Sequence, residues 1–242
     1  MGYCISYQEQ AELLPVRFEA VGGHEGGVVF NGSKLTKKTN PPEVEVYEKI
    51  NSAQDTDLSD EDAALRELVN FTPRYFGSRE EDGQVYIDIE NLLFDAPYAN
   101  FVDIKMGTST VTQQVRDRQD SSYLKKREIK DIQRSSKELG FTITGYSKKE
   151  NDTGRLIEAF FKANVRKREV TKVLTKIFSD KSGQVCEEAV SEITRQLREM
   201  HDFFANRNEH EIRGASIFMV ICPASRVYQA KLIDLNSVVP LK

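Results

Sequence analysis

The order in which strand-forming and helix-forming segments follow one another constrains the fold of this chain more than any other sequence feature. Strand-like segments open the chain, two long helical segments follow in its second half, and a strand pair closes it. Strands and helices that are segregated in this way, rather than alternating, favour an α+β fold over parallel βαβ units. The predicted strands lie at 16–21, 27–30, 35–38, 85–93, 101–106, 141–146, 216–222 and 228–235, and the long helices at 170–178 and 190–203.

Local signals place the ends of several elements in the first half of the chain. Asn31-Gly32 predicts a two-residue hairpin turn, because both residue types tolerate positive φ. Pro41-Pro42 predicts the start of a helix, because proline is tolerated in a helical first turn. Ser59 begins a capping box and predicts a further helix that reaches Val69. A short basic helix is predicted at 122–133.

The composition is that of a globular chain without a membrane-spanning segment. Of 242 residues, 39% are hydrophobic and 30% are charged, and no stretch approaches the roughly 20 apolar residues that cross a bilayer. Cys4, Cys186 and Cys222 form no CxxC pair, which disfavours a zinc site or a disulfide framework and fits a reducing compartment. We therefore expect a cytoplasmic protein, with the nucleus as the second compartment that fits. Gly2 to Ser6 matches the short pattern for N-myristoylation, with Cys4 as a second lipid site.

Positive charge is concentrated in two runs, although the chain as a whole carries a net charge of −4. Each run holds six bases, against two acids in 123–137 and one acid in 160–176. Such runs are either solvated helix faces or a surface that attracts a particular anion, and charge alone favours the first interpretation. Nucleic acid is disfavoured as a partner, because aromatic residues are not interleaved with the bases.

Some residues near the start of the chain have the types that phosphoryl transfer requires. That reaction needs a cover over the nucleotide phosphates, a lysine on them, carboxylates for Mg²⁺ and positive charge for the acceptor. The loop Gly22 to Gly27 could bring backbone N–H groups to phosphate oxygens. Lys37 on the next strand could reach the same phosphates, and Glu43 in the following helix could orient it. A flexible hairpin and two surface charges explain these residues equally well.

Two carboxylates and a lysine lie on later predicted strands. Asp103 and Lys105 share one face of a strand, because alternate residues do, and Gly107 follows them. Asp234 lies within an apolar strand, where a carboxylate is rarely fully buried unless it is paired or bound to metal. Mg²⁺ prefers oxygen ligands, often one or two carboxylates with substrate phosphates, so Asp234 is the metal candidate. An edge strand that faces water and a turn cap are the alternative interpretations.

These residues, in this order, resemble the inositol polyphosphate kinase family. Asp103 to Gly107 matches the second half of the family motif P-x-x-x-D-x-K-x-G, with Ala99 at the position of its proline. Further similar segments keep the family's order over nearly the whole chain. They are Val21 to His24, Lys37 to Glu48, Phe71 to Gly77, the hinge Ile89 to Leu92, Ser135 to Phe141, Gly214 to Phe218 and Ile233 to Asn236.

The resemblance implies a two-lobed α+β fold like that of protein kinases, with antiparallel sheets in both lobes. The expected N-terminal lobe and hinge comprise 1–92, the C-terminal lobe comprises 93–242, and 108–134 forms a short basic inositol-binding segment. The implied activity is the transfer of the γ-phosphate of ATP, with Mg²⁺, to an inositol polyphosphate. We expect the kinase to act as a monomer.

The resemblance also implies a role for each candidate residue. ATP would lie between the lobes, and Lys105 and Asp234 would be the catalytic residues. The implied contacts are Glu90 and Leu92 with adenine, Asp103 with ribose, Lys37 with the nucleotide phosphates, Asp234 and Ser216 with Mg²⁺, and Lys105, Lys125, Lys126, Arg127 and Lys130 with the acceptor. With this resemblance, the first basic run is better explained as an anion-binding surface than as a solvated face.

The identity of the acceptor is the least constrained part of this interpretation. The segment 108–134 holds 27 residues, too few for the larger insertion of the kinases that act on inositol trisphosphate. Val21 to His24 and Ser135-Ser136 favour the inositol hexakisphosphate kinases, whose acceptor has no free hydroxyl and yields a diphosphoinositol pentakisphosphate. A multikinase that phosphorylates ring hydroxyls of tris- and tetrakisphosphates is the alternative. A non-catalytic module that binds inositol phosphates is an alternative of another class.

Overall fold

The computed structural model describes most of the chain after its first 26 residues. The described residues are 27–52, 67–109, 116, 119–133, 135–150, 153–161, 165–180, 182–206, 210–212, 214–236 and 238–240. The predicted strand at 16–21, nearly all of the glycine-rich loop and most of the helix predicted from Ser59 lie outside these residues.

The described residues of the N-terminal part form an antiparallel sheet of four strands with one α-helix. Its strands have the order β1-β2-β4-β3, and they are β1 (Val28–Asn31), β2 (Lys34–Thr39), β3 (Tyr75–Glu81) and β4 (Gln84–Glu90). Gly32 has a φ of 60° in the turn between β1 and β2, which confirms the predicted hairpin. The helix α1 (Pro41–Ser52) begins at the first proline, as predicted.

The C-terminal part is built on a second antiparallel sheet, of five strands, in the order β10-β9-β5-β6-β7. Its strands are β5 (Asn100–Met106), β6 (Phe141–Lys149), β7 (Leu156–Phe161), β9 (Ser216–Cys222) and β10 (Val227–Ile233). A separate short pair joins β8 (His210–Ile212) to β11 (Val238–Pro240). Because β5 is the central strand of the larger sheet, the edge-strand interpretation of Asp103 and Lys105 is wrong.

In the described part of the chain four helices accompany the second sheet, and two of them pack on it through faces with the predicted helical period. They are α2 (Ser121–Gln133), α3 (Ser136–Leu139), α4 (Lys167–Phe178) and α5 (Glu187–Asn206). The long helix α5 lies on β10, and α4 lies on β5 and β6. Val173 and Ile177 of α4 and Ile193 and Met200 of α5 are buried there.

The larger hydrophobic core of the described residues extends from the first sheet to the second. Ile87 of β4 and Ile143 of β6 are both fully buried and belong to the same cluster. The backbone N–H of Leu232, in β10, donates to the carbonyl of Phe71, in the N-terminal part, at 2.7 Å. The two lobes are therefore joined by packing and by main-chain hydrogen bonding, which holds the elements of both lobes in fixed relation.

The structure corrects several sequence predictions. The strand predicted at 85–93 ends at Glu90, and Asp234 lies one residue beyond β10 rather than within a strand. The described end of the helix predicted from Ser59 is a 3-10 turn, Leu68–Asn70. The strands β3 and β7 were not predicted, because both lie at sheet edges where few of their side chains are buried. No helix among the described residues is long and apolar enough to cross a membrane.

Candidate functional site

A buried lysine–glutamate pair joins the first sheet to α1. Lys37 Nζ lies 2.8 Å from Glu43 Oε1 and 2.9 Å from Glu43 Oε2. Glu43 is 1% exposed, and its Oε2 also accepts a hydrogen bond from the hydroxyl of Thr39. The contact predicted between Lys37 and Glu43 is therefore present, and a buried carboxylate paired on two sides holds the lysine in one position.

Asp234 completes this pair from the C-terminal lobe. Its Oδ1 lies 2.5 Å from Lys37 Nζ, across 197 positions of sequence. The next residue, Leu235, donates its backbone N–H to Glu43 Oε1 at 3.1 Å, so the same glutamate fixes both the lysine and the backbone beside Asp234. A second bridge runs from Asn40 Nδ2 to Asn236 Oδ1 at 2.9 Å.

The backbone of Asp234 is in an uncommon conformation. Its φ is 61°, in the left-handed region that residues other than glycine rarely adopt. The preceding strand and the contact of Leu235 with Glu43 hold the chain in this conformation. In this conformation the carboxylate of Asp234 contacts Lys37, and the Asp234 side chain stays 36% exposed. The same carboxylate is therefore both paired with the lysine and accessible to a ligand.

The charges of the pair stabilise one another. Burial alone would lower the pKa of Lys37, but the nearby carboxylates of Asp234 and Glu43 outweigh it and raise that pKa above its ordinary value. Burial would raise the pKa of Asp234, but Lys37 and, to a smaller extent, Lys105 hold it below its ordinary value. At neutral pH the cluster therefore presents a charged Lys37 beside an ionised Asp234.

Asp103 and Lys105 approach this cluster from the central strand β5. Across the ladder with β9, Asp103 faces Phe218 and Lys105 faces Ser216, so the two charged residues share one face, as predicted. Lys105 Nζ donates to the carbonyl of Gly214 at 3.0 Å. Ser216 is also the partner of Ile233, the residue before Asp234, which brings Ser216 and Lys105 next to the metal candidate.

Asp103 is more deeply buried than its sequence context suggested. It is 3% exposed, and its Oδ1 has no hydrogen-bond partner among the described residues. Burial raises the pKa of Asp103 to about 6, and the charge of Asp234 adds to this, while Ser216, Thr144 and Lys105 oppose it. A buried carboxylate oxygen that lacks a partner is costly, so it marks a position where a ligand hydroxyl would be favourable.

The hinge residues lie at the edge of the first sheet. Glu90 ends β4, where its backbone N–H donates to the carbonyl of Arg74 at 2.8 Å and its carboxylate accepts from the N–H of Arg74 at 3.2 Å. Leu92 is buried in a small second cluster that includes Ala99, the residue in place of the family's proline. The predicted contacts of Glu90 and Leu92 with adenine stay predictions.

A cavity of about 190 Å³ lies beside the cluster, between α1, the Glu90 end of β4 and β10. Tyr47 lines it one helical turn after Glu43, and its buried hydroxyl has no hydrogen-bond partner in the described part of the chain. Lys231 of β10 also lines it. Local sequence patterns do not predict this cavity, because its walls come from segments that are distant along the chain.

The basic segment lies on α2, which packs against α3 rather than on the cluster around Asp234. Lys125 and Lys126 are exposed, and Arg127 is half-buried, with its Nε donating to the hydroxyl of Tyr123 at 3.1 Å. The side chain of Lys130 lies outside the described residues. Within those residues no hydrogen bond or ion pair joins these bases to the cluster, so their predicted contact with the acceptor stays a prediction.

The donor atoms fit a hard divalent cation that is held in part by a substrate. In the described ranges no three His, Cys, Asp or Glu side chains form a group that could hold a metal ion by themselves. The candidate oxygen donors are instead the carboxylate of Asp234, whose side chain is 36% exposed, and the hydroxyl of Ser216, whose backbone pairs with that of Ile233. Mg²⁺ commonly takes one or two carboxylates together with nucleotide phosphates, and this set of oxygen donors fits that pattern.

Comparison with known proteins places the chain in a family. Residues 86–242 match the family described as inositol polyphosphate kinase, and this match covers more than half of the chain. The matched region begins in β4 and contains Asp103, Lys105, Ser216 and Asp234. No curated protein sequence matches the chain.

Two similar solved structures are inositol phosphate multikinases. One, from work on the structure and engineering of an inositol phosphate multikinase, is 21% identical with a TM-score of 0.61, and the match covers 82% of this chain and 88% of that chain. The other is the S. cerevisiae multikinase Ipk2 in complex with ADP and Mn²⁺, at 16% identity and a TM-score of 0.61, covering 87% of this chain and 90% of that one. These matches confirm the predicted two-lobed, kinase-like α+β fold.

Proposed function

Because the chain belongs to the inositol polyphosphate kinase family, we propose that it transfers the γ-phosphate of ATP to an inositol polyphosphate. The observation that carries this proposal is the cluster of Lys37, Glu43 and Asp234 at the junction of the lobes. A lysine held by a helix glutamate, facing an aspartate that follows a strand, is the arrangement that protein kinases use for phosphoryl transfer. Lys105 supplies a second cation beside it.

The nucleotide would bind across the junction of the two lobes. Lys37 is held by Glu43 and would contact the phosphates of ATP, in exchange for part of its contact with Asp234. Asp103 would bind the ribose, whose hydroxyl supplies the partner that its Oδ1 lacks. Asp234 and Ser216 would hold Mg²⁺, which when bound neutralises charge on the phosphates. The binding of ADP and Mn²⁺ by Ipk2 supports this use of nucleotide and metal.

The residues act mainly by position and charge. An acceptor oxygen attacks the γ-phosphorus while the bond to the bridging oxygen of ADP breaks, and ADP leaves with the electron pair of that bond. Lys37 lowers the cost of the negative charge that grows on ADP, because its ammonium group is already fixed and partly desolvated. Lys105, fixed by its hydrogen bond to the carbonyl of Gly214, would hold a phosphate of the acceptor in line.

We propose inositol hexakisphosphate as the acceptor. The short segment 108–134 and the similarity of Ser135-Ser136 to the hexakisphosphate kinases support this choice. Both serines are fully buried, and Ser135 Oγ donates to the carbonyl of Phe141 at 2.8 Å, which positions the start of α3. An acceptor that is already a phosphate needs no strong general base, because its attacking oxygen is anionic.

A second candidate is a multikinase that phosphorylates ring hydroxyls of tris- and tetrakisphosphates. The observation that favours it is the similarity of the fold to the two multikinase structures. A hydroxyl acceptor must lose its proton during the reaction. The two candidates therefore differ in the phosphate acceptor atom and in the charge of the product.

One assay separates these candidates. Purified protein is incubated with Mg²⁺, radiolabelled ATP and, in separate reactions, inositol tris-, tetrakis-, pentakis- or hexakisphosphate, and the products are separated by charge. We expect label to move onto hexakisphosphate to give a product more highly charged than the substrate. Label on the lower phosphates alone would establish the multikinase activity. Binding of an acceptor without any transfer of label would contradict the kinase proposal. The chain would then be a non-catalytic module that binds inositol phosphates.

A further inference from the structure

The C-terminal half of α2 has inverted polarity. Asp131, one of the two acidic residues of the helix, is 1% exposed, whereas Ile129 and Ile132 are 54% and 59% exposed. A helix on the surface of a globular protein normally turns its apolar residues inward and its charged residues outward. Two exposed isoleucines opposite a buried aspartate therefore call for an explanation outside the fold itself.

The exposed face of α2 combines these isoleucines with bases. Lys125, Ile129 and Ile132 follow one another at steps of four and three, so they lie along one stripe of the helix. Lys125 is exposed, and so is Lys126 beside the stripe. The face thus presents branched apolar side chains surrounded by lysines, rather than apolar or basic residues alone.

Further bases continue from α2 to the start of α4. Ion pairs link the helices in sequence, from Glu128 to Lys137 at 3.5 Å and from Glu138 to Lys167 at 2.8 Å. These pairs neutralise Glu128 and Glu138, and the third glutamate of this region, Glu169, accepts from the backbone N–H of Arg166. Arg166, Arg168 and Lys172 are exposed at the start of α4 and add positive charge from the second basic run.

We propose that the exposed face of α2 binds the surface of an anionic lipid bilayer. Ile129 and Ile132 would enter the boundary between headgroups and acyl chains. Lys125 and Lys126, which the family resemblance assigns to the acceptor, would contact the anionic headgroups when no acceptor is bound. A water-soluble polyanion gains nothing from two isoleucines. Two side chains are also too few to form the apolar centre of a stable protein–protein interface. A bilayer accepts both groups at once.

The proposal goes beyond the proposed kinase activity and does not depend on it, because its test contains neither nucleotide nor acceptor. The full chain is produced in a bacterial host, so that Gly2 and Cys4 carry no acyl chain, and is mixed with vesicles that are then floated on a density gradient. One set of vesicles is phosphatidylcholine, and the other contains phosphatidylserine as well. We expect the protein to float with the phosphatidylserine vesicles only, and to be released by added salt.

Two variants separate insertion from charge. Ile129→Ser with Ile132→Ser should weaken binding to phosphatidylserine vesicles by roughly 10-fold or more, because the apolar contribution is lost. Lys125→Glu with Lys126→Glu should abolish binding through charge reversal. The matched control is Ile157→Ser, which alters an isoleucine that is 49% exposed on β7 and should bind like the wild type. Circular dichroism checks that each variant is folded.

Three outcomes would overturn the proposal. If the wild-type protein fails to float with phosphatidylserine vesicles, the exposed face of α2 does not bind membranes. Its occupant would then be of another class, such as an acidic protein. Isoleucine variants that float like the wild type would show that charge alone captures the protein. Binding that the Ile157→Ser control loses to the same extent would place the surface elsewhere.

Discussion

At the scale of single residues, the candidate site depends on charged groups that satisfy one another at short range. Lys37 contacts Glu43 at 2.8 Å and Asp234 at 2.5 Å, while Glu43 is 1% exposed. Removing one member therefore leaves a buried charge without its main partner. Function and stability are therefore coupled at these positions. The effect of a substitution has to be measured on both turnover and the free energy of unfolding.

Replacement of Lys37 tests this coupling. Lys37→Met should lower turnover at least about 100-fold, because a fixed cation on the nucleotide phosphates is lost. It should also lower the free energy of unfolding by about 3 kcal/mol, because Glu43 stays buried without the lysine. Enzyme assays and urea unfolding measure the two effects. Lys38→Met is the control, since Lys38 is exposed on the same strand, and an equal loss in the control would contradict the assignment.

Asp103 should make stability depend on pH in a recognisable direction. Its pKa is raised to about 6, so the folded state favours the protonated form, and the associated stability is lost as pH rises toward 6. Asp103→Asn does not lose stability in this way, because an asparagine side chain does not ionise. Relative to the wild type, the variant should gain about 2 kcal/mol of unfolding free energy between roughly pH 4.5 and pH 7, measured without nucleotide. A difference that stays constant over this range would contradict the assigned burial.

At the scale of helices and strands, long-range polar contacts position the site. Asn100 at the start of β5 is fully buried, with its Nδ2 donating to the carbonyl of Ile177 in α4 at 2.9 Å. Its Oδ1 accepts from the backbone N–H of Lys149 in β6 at 2.8 Å. One side chain thus ties a helix to two strands, including the strand that carries Asp103 and Lys105.

Asn100→Ala should therefore destabilise the protein by about 3 kcal/mol, because two buried backbone groups lose their partners. Chemical unfolding measures this change. Asn206→Ala is the matched control, because Asn206 lies exposed at the end of α5 and donates to the carbonyl of Asp202. We expect the control to change stability by less than about 0.5 kcal/mol. Equal losses of unfolding free energy in Asn100→Ala and Asn206→Ala would contradict the proposed role of Asn100 in linking α4 to the sheet.

The elements that the sequence predicts well are those whose signals are local. The start of α1 at Pro41 and the helical period of α4 and α5 appear as predicted, and the hairpin after β1 is present with its turn at Gly32-Ser33, one residue later than predicted. The polar strand β3 gave no such signal, because as an edge strand it buries little and needs no alternation. Lys37 and Asp234 are 197 positions apart in the sequence. Local sequence patterns do not predict a contact between residues so distant along the chain.

At the scale of the whole molecule, the two sheets are joined by one hydrophobic core and by the charged cluster. Glu43 of the first lobe accepts from the backbone N–H of Leu235 in the second, and Leu232 donates to Phe71 in return. The family match extends from β4 to the end of the chain and so includes the elements of the second lobe that carry the candidate residues. The catalytic proposal thus rests on a geometry that both lobes create together.

The central claim is that Asp234 serves the transfer step rather than the binding of the acceptor. The most direct test compares wild type with Asp234→Asn, measuring transfer from labelled ATP and the affinity for inositol hexakisphosphate in the same preparations. We predict that the variant loses transfer at least about 100-fold while its affinity for the acceptor changes less than about twofold. Unchanged transfer in the variant, or transfer and acceptor binding lost together in a folded protein, would contradict this account.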